Sequence, residues 1–379
     1  MTGDATERRG PEEERTLLRR PAPAATAADP VLHVLDLEAA EGLAARRIVL
    51  GPAPLSIGRS PQNGLSLPSG DVSRTHCVVA VEGGVAVVTD LGSTNGTLVD
   101  GVRAAGPARL AHGARLGLGP FVLVYRTGRA SDLAREEEAR REMERARRYI
   151  AALLPAPLAE GPVRADWRFV PSAEVGGDGF GYGWLDARRF AVWLLDVSGH
   201  GAGSALLAAS VMNLLREHSQ PGMDFASPGV LLSQLNARFQ AERQGGLFFT
   251  IWYGVADVVE RRLVFACAGQ HPAFLLAPGG APAPLTVRNP GVGMAPDIAF
   301  RTAEAALPAA SRLVLFSDGA FESRDADGAQ RGIQDFIPAL AAQAEPGLAE
   351  AERLLRAART GARPGPPEDD IAILCLDFA

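Results

Sequence analysis

The stretch Glu174–Leu207, EVGGDGFGYGWLDARRFAVWLLDVSGHGAGSALL, decides how this chain is read. Asp178 follows two glycines, Gly176 and Gly177. Asp196 ends the apolar run Phe190–Leu195 and is followed by Ser198-Gly199-His200-Gly201. Such a run reads as a buried strand that delivers a carboxylate to the edge of a sheet. Glycine lets the backbone approach a ligand closely or take positive φ. Two carboxylates facing each other repel, and a hard divalent cation held by oxygens relieves that repulsion.

The same construction recurs downstream. Leu313–Phe316 is an apolar run followed by Ser317-Asp318-Gly319, and Glu368-Asp369-Asp370 precedes the closing run Ile371–Phe378. A single Asp at a strand end is ordinary turn chemistry. Four at the strand edges of one domain call for more than turns.

These motifs carry a family resemblance. VGGD, DVSGHG-x-x-x-ALL, FFTIWYGVAD, AGQHP, LFSDGAFE and EDDIAIL stand in the order seen in bacterial metal-dependent serine/threonine protein phosphatases (PPM). The chain resembles the SpoIIE/RsbU branch over residues 156–379. The resemblance implies a four-layer α-β-β-α sandwich with a metal pair, Mn²⁺ or Mg²⁺, at one edge. It implies Asp178, Asp196, Asp318 and Asp369 as metal ligands, with the Val197 backbone carbonyl. Asp370 is then either a ligand or an outer acceptor. A bridging water would attack the phosphorus of phosphoserine or phosphothreonine. The resemblance gives His200 turn packing in preference to proton donation, and His271 a structural or substrate-edge role. One departure stands out: relatives often carry a second acidic residue three positions after the first Asp, where this chain has Gly181. That departure keeps a second reading open, a phosphothreonine-binding scaffold with a weak or inactive phosphatase fold.

Upstream, from Val31 to about Arg126, short β-prone runs alternate with Gly/Asn/Asp turns, the texture of an all-β sandwich. Within it lie Ile57-Gly58-Arg59-Ser60, Val72-Ser73-Arg74-Thr75-His76-Cys77 and Leu91-Gly92-Ser93-Thr94-Asn95-Gly96-Thr97. This segment, 30–127, resembles a forkhead-associated (FHA) domain. The resemblance implies that Arg59, Ser73, Arg74, Thr94 and Asn95 contact a phosphothreonine peptide, while Gly58, His76 and Gly96 hold the loops. The residue types suit that task, since guanidinium offers a fork of donors to phosphate.

Residues 1–29 are polar and rich in Pro and Ala, and read as a disordered tail. Within them Thr26 precedes Asp29 by three residues, a spacing many FHA domains favour in a phosphothreonine ligand. Residues 129–155 are rich in Ala, Glu and Arg and read as a helix that Ser131 caps and Pro155 stops. Ala139, Met143, Ala146, Ile150 and Leu153 fall at coiled-coil spacing. The helix either packs on its own domain or joins two chains as a homodimer.

Composition bounds the rest. A net charge of −6 over 379 residues gives no footing for nucleic acid. Cys77, Cys267 and Cys375 sit singly in apolar runs, as buried thiols do in a reducing, cytoplasmic setting. No signal peptide or membrane-length apolar run is visible. The branch implies a phosphorylated anti-anti-sigma (STAS) protein as substrate, and the FHA segment implies company with a serine/threonine kinase.

Overall fold

Alternation of apolar and polar residues builds the first sandwich. The structure, a computed structural model, describes residues 29–379 except 39, 41, 173–175, 219, 326–327 and 363–366. Eleven strands come first: β1 (Val31–Leu37), β2 (Arg46–Val49), β3 (Leu55–Gly58), β4 (Leu65–Ser66), β5 (Cys77–Glu82), β6 (Val85–Asp90), β7 (Leu98–Val99), β8 (Val102–Arg103), β9 (Ala108–Leu110), β10 (Arg115–Leu118) and β11 (Phe121–Arg129). They form one sheet in the order β2-β1-β11-β10-β7-β8 and another in the order β4-β3-β5-β6-β9. Leu35, Ile57, Val79, Leu116 and Phe121 meet in the core between them.

Helix α1 (Ala130–Leu153) follows β11 directly. Ser131 is not its cap. Instead Asp29 reaches across, accepting from the Ser131 amide at 2.9 Å and from its hydroxyl at 2.5 Å. Thr26, like the rest of 1–28, lies outside the described residues. The chain divides into two compact units at Glu138–Ala139, inside α1 and not at either end of it. In the first unit Arg47 donates to the Leu133 carbonyl at 2.8 Å and pairs with Asp36. In the second, Ile150 and Leu153 are buried in that unit's own core, so two of the five seam residues are occupied there. Ala139 is exposed.

The second unit holds β12 (Val163–Val170), β13 (Gly179–Trp184), β14 (Arg189–Val197), α2 (Ala202–Glu217), α3 (Pro228–Arg238), β15 (Phe249–Asp257), β16 (Arg262–Ala268), β17 (Ala273–Leu276), β18 (Ala283–Leu285), β19 (Ala303–Ala306), β20 (Arg312–Phe316), α4 (Ile333–Ala341), α5 (Glu350–Arg359) and β21 (Ile371–Phe378). Two antiparallel sheets result, β13-β14-β15-β16-β19 and β12-β21-β20-β17-β18. Strand β14 shows the layering, because neighbouring side chains point to opposite faces. Phe190, Val192 and Leu194 enter the core between the sheets, with Leu313, Leu315 and Leu374 from the other sheet. Ala191, Trp193 and Leu195 enter the core beneath α2 and α3. A third core lies under α4 and α5. The layers are therefore α-β-β-α. The three cysteines are buried and free.

Strand β13 was not expected as a strand. Gly179, Gly181 and Gly183 face α2, while Phe180 packs between the sheets. Gly181 pairs across strands with Trp193, and an added Cβ there would overlap the indole, lying 2.7 Å from its Cε2. The indole thus occupies the volume that a side chain at 181 would need. A carboxylate at this position would be forced into a buried apolar layer.

Overpacking of this kind costs about 1–3 kcal/mol. Gly181→Ala should therefore lower the melting temperature, and Gly181→Asp should lower it further, with no gain in Mn²⁺ affinity. Calorimetric melting with and without Mn²⁺ checks both points; a tighter Mn²⁺ site in Gly181→Asp would contradict the packing argument.

Candidate functional site

Strand ends bring the carboxylates together. Asp196 follows Leu194 by two and so lies on the face between the sheets, where the sandwich stops. Across the gap β20 ends at Phe316, and Asp318 opens a 3-10 turn, Asp318–Ala320. Ser317 knits this edge to β21: its hydroxyl donates to the Asp370 carbonyl and accepts from the Ala372 amide, each at 2.9 Å. From the other side Gly177 presses on Val197; a Cβ there would lie 2.6 Å from the Val197 carbonyl oxygen. Only glycine permits that approach, and it sets Asp178 beside Asp196. Gly176 likewise abuts the Asp370 carboxylate.

Asp178 is 3% exposed, and its Oδ2 has no hydrogen-bond partner among the described residues. Burial, then the charges of Asp196, Asp370 and Asp318, push its carboxyl well above the usual range. Burial and the charges of Asp318, Asp369 and Asp370 push Asp196 up to about 8. Asp318 is pushed up to about 6 by burial and Asp369. Asp370 is raised mainly by burial, against a 2.8 Å hydrogen bond from the Ser172 amide to its Oδ1. Asp369 is exposed and accepts from the Asp370 amide at 2.7 Å. All five expected carboxylates thus share one sheet edge. Among the described residues no three of them close into a finished coordination shell, although they lie near enough to resist each other's ionisation. A buried unpartnered oxygen among hard oxygen donors fits a divalent cation of the Mg²⁺ or Mn²⁺ kind.

Three contributors escaped the sequence reading. Ser317 and Ser172 fix Asp370 through backbone-directed bonds that no spacing announces. Glu322 adds charge that raises both Asp196 and Asp318. Its only signal was its place four residues after Asp318, where a helical turn returns to the same side.

His271 stacks on Phe316 with ring centroids 4.8 Å apart, and burial pushes it down to about 4, leaving it uncharged at neutral pH. His200 is exposed in the turn before α2.

In the first unit, loops at one end of the sandwich gather the other expected set. The Thr94 amide donates to Ser73 Oγ at 3.1 Å, and the Arg59 amide to the Ser73 carbonyl at 2.9 Å. Asn95 donates to the Asp71 carbonyl at 2.9 Å. Arg59 and Arg74 are exposed beside them. His76, fully buried, accepts from the Ser73 amide at Nδ1, so its ring proton sits on Nε2, 3.2 Å from the Gly96 carbonyl. Gly58 admits the Arg74 carbonyl, and Gly96 has φ 81° against Arg103. Against the desolvation of burial, bonds from Ser93 and Thr97 hold the Asp90 carboxyl at about 2 and lock the second loop.

Residues 186–379 match the family described as stage II sporulation protein E (SpoIIE), just over half of the chain. The chain belongs to the SpoIIE family. Asp178 precedes the matched residues and joins them through the β13–β14 pairing. Residues 55–119 match the FHA domain. The SpoIIE-type region is 29% identical over 187 residues to phosphoserine phosphatase RsbP of Bacillus subtilis, covering 48% of this chain and 46% of RsbP. The FHA region is 39% identical over 89 residues to the glycogen accumulation regulator GarA of Mycolicibacterium smegmatis, covering 24% of this chain and 56% of GarA. The chain spans about half the length of the curated relatives it matches. The solved SiaA-PP2C domain of Pseudomonas aeruginosa shares the fold, with a TM-score of 0.56 at 21% identity, over 65% of this chain and 99% of that domain. No helix among the described residues is long and apolar enough to cross a membrane.

Ser73→Ala removes the hydroxyl that joins the two FHA loops and leaves Thr94 N–H without its acceptor. Affinity for a phosphothreonine peptide should fall by roughly 10-fold or more, since bonds to charged groups are worth about 1.5–3 kcal/mol. Calorimetric titration of the full chain with phosphorylated and unphosphorylated peptide checks this; equal affinity in parent and variant would contradict the assignment.

Proposed function

We propose that this SpoIIE-family chain is a metal-dependent protein serine/threonine phosphatase that its FHA domain targets or regulates. The observation that carries the reading is Asp178: a buried carboxylate with an unpartnered oxygen, held against Asp196, Asp318 and Asp370. RsbP, and also RsbU of Bacillus subtilis at 23% identity over 160 residues, are named phosphoserine phosphatases, which supports the same chemistry here. Asp178, Asp196, Asp318 and Asp369, with the Val197 carbonyl, would hold two cations, Mn²⁺ or Mg²⁺. When bound, such a pair acidifies a water and neutralises charge on the phosphoryl group. The protein's part is positional. Ser317 and Ser172 fix Asp370 beside Gly176. Gly176 and Gly177 press Asp178 into place. The imidazole of His271, uncharged, packs against Phe316 and Phe321.

The substrate fits a phosphoserine on a STAS-type partner-switch protein, in keeping with the Rsb relatives. Arg59, Ser73, Arg74, Thr94 and Asn95 would hold a phosphothreonine protein, a serine/threonine kinase among the candidates. A homodimer contact through helix α1 would use Ala139, Met143 and Ala146, because Ile150 and Leu153 are already buried. The scaffold reading loses its main support, since Gly181 lies against Trp193 and not in the carboxylate cluster.

The test is phosphate release from a phosphoserine peptide by the full chain with Mn²⁺, Mg²⁺ or EDTA. Turnover should require the cation and fall by at least about 100-fold in Asp196→Ala, as loss of a metal-site group costs. Turnover that survives both EDTA and Asp196→Ala would overturn the phosphatase assignment.

A further inference from the structure

A site of carboxylates faces a substrate that is itself an anion, so something must donate to the phosphoryl oxygens. The chain contains no lysine, which leaves arginine, imidazole and neutral donors for the task. Gln270 stands where such a donor is needed. Thr250 is the cross-strand partner of Asp196. Partners directly opposite share a face, with Cβ atoms about 4.5–5.5 Å apart. The Thr250 hydroxyl donates to the side-chain carbonyl of Gln270. Gly269, at φ 70°, turns the chain off the end of β16, and its amide is held by the Asn289 carbonyl at 3.1 Å. Cys267 Sγ donates to the Gln270 backbone carbonyl at 2.8 Å. These bonds fold Gln270 back over the end of β15.

The opposite flank is fixed as well. His271 stacks on Phe316 and meets Phe321 edge-on at 5.2 Å. Those two rings straddle Asp318 in sequence. Residue 270 is thereby held between the strand end that bears Asp196 and the strand end that bears Asp318. Thr250 has taken the carbonyl end of its amide. The Nε2 group has no hydrogen-bond partner among the described residues, and Gln270 is half-buried. We propose that Gln270 contacts the substrate, its Nε2 donating to a phosphoryl oxygen of the phosphoester, with Thr250 fixing the amide's orientation. This rests on the phosphatase reading above and adds the residue that orients its substrate. A neutral donor suits the place, because it neither competes with cations for the carboxylates nor adds charge against the phosphate.

The experiment compares the full-length parent, Gln270→Ala, the isosteric Gln270→Glu and Thr250→Val, all loaded with Mn²⁺. Steady-state kinetics use a phosphoserine peptide and p-nitrophenyl phosphate, and calorimetry follows Mn²⁺ and inorganic phosphate binding. Gln270→Ala should lower kcat/KM by roughly 10- to 100-fold, the worth of a bond to a charged group. Inorganic phosphate should bind more weakly by a similar factor, with Mn²⁺ affinity and melting temperature unchanged. Gln270→Glu should lose more, since it replaces the donor with a like charge, and Thr250→Val should lose less in the same sense. The proposal is overturned if Gln270→Ala stays within twofold of the parent in both kcat/KM and phosphate affinity. It is equally overturned if the loss is confined to Mn²⁺ affinity. Asp196→Ala run in parallel separates the two levels: its full activity would remove the phosphatase reading, while phosphate binding to the Mn²⁺-loaded parent and Gln270 variants would still decide the role of the amide.

Discussion

Repulsion among carboxylates is the constraint on which the second unit depends. Asp178, Asp196, Asp318, Asp369 and Asp370 converge on one edge of a sandwich, and burial magnifies their mutual cost. A fold tolerates such a cluster only if other contacts over-determine it. The four layers supply them: Trp193, Leu195 and Val197 anchor β14 beneath α2, while Phe190, Val192 and Leu194 anchor its other face. Asp196 is the one residue near the end of that strand that is not fully buried. The pull of the core on both faces thus holds a carboxylate where electrostatics alone would expel it.

The same logic explains the arrangement of the second edge. Asp370 is fixed at two points by neutral groups. It is placed through its backbone, by Ser317, and through neutral donors, by the Ser172 amide. Neutral groups position, and charged groups are left free to bind. The FHA loops follow a parallel scheme. There His76 bonds the backbone at Ser73 and Gly96, Asp90 accepts from the amides and hydroxyls of its own loop, and Arg59 and Arg74 stay exposed.

Much of this was legible in the residues. Strands β16, β17, β20 and β21 are legible, because each is a short apolar run between turn residues. Asp196, Asp318, Asp369 and Asp370 were readable because each follows or precedes such a run, while Asp178 was marked by the two glycines before it. Strand β13 was not readable by propensity, since three of its six residues are glycine, which strands disfavour. Its alternation of glycine with Phe180, Tyr182 and Trp184 has period two, and that was the signal passed over. The residues after Arg238 have helical propensity as far as Arg243, yet α3 stops at Arg238. The chain there is bent by a distant partner, the Gly293 carbonyl, which takes the Ala241 amide at 3.1 Å. The cap of α1 was misplaced for a similar reason. Ser131 has the right chemistry, yet Asp29 lies 102 residues away in sequence and does the capping. Contacts between distant segments leave no local trace.

Gly181 shows how a departure from a family pattern can be misread as a loss. Read along the sequence, it replaces a carboxylate near Asp178. Read in space, it belongs to the layer under α2, where Trp193 fills the room that a side chain would need. The indole is wholly buried, and its Nε1 has no partner among the described residues. An unmet donor is costly in such a layer. The ring nonetheless stays, because glycine at 181 lets its full apolar area bury against β13. Packing and not metal chemistry therefore accounts for the residue at this position, and the capacity of the site has to be judged from the carboxylates that do converge.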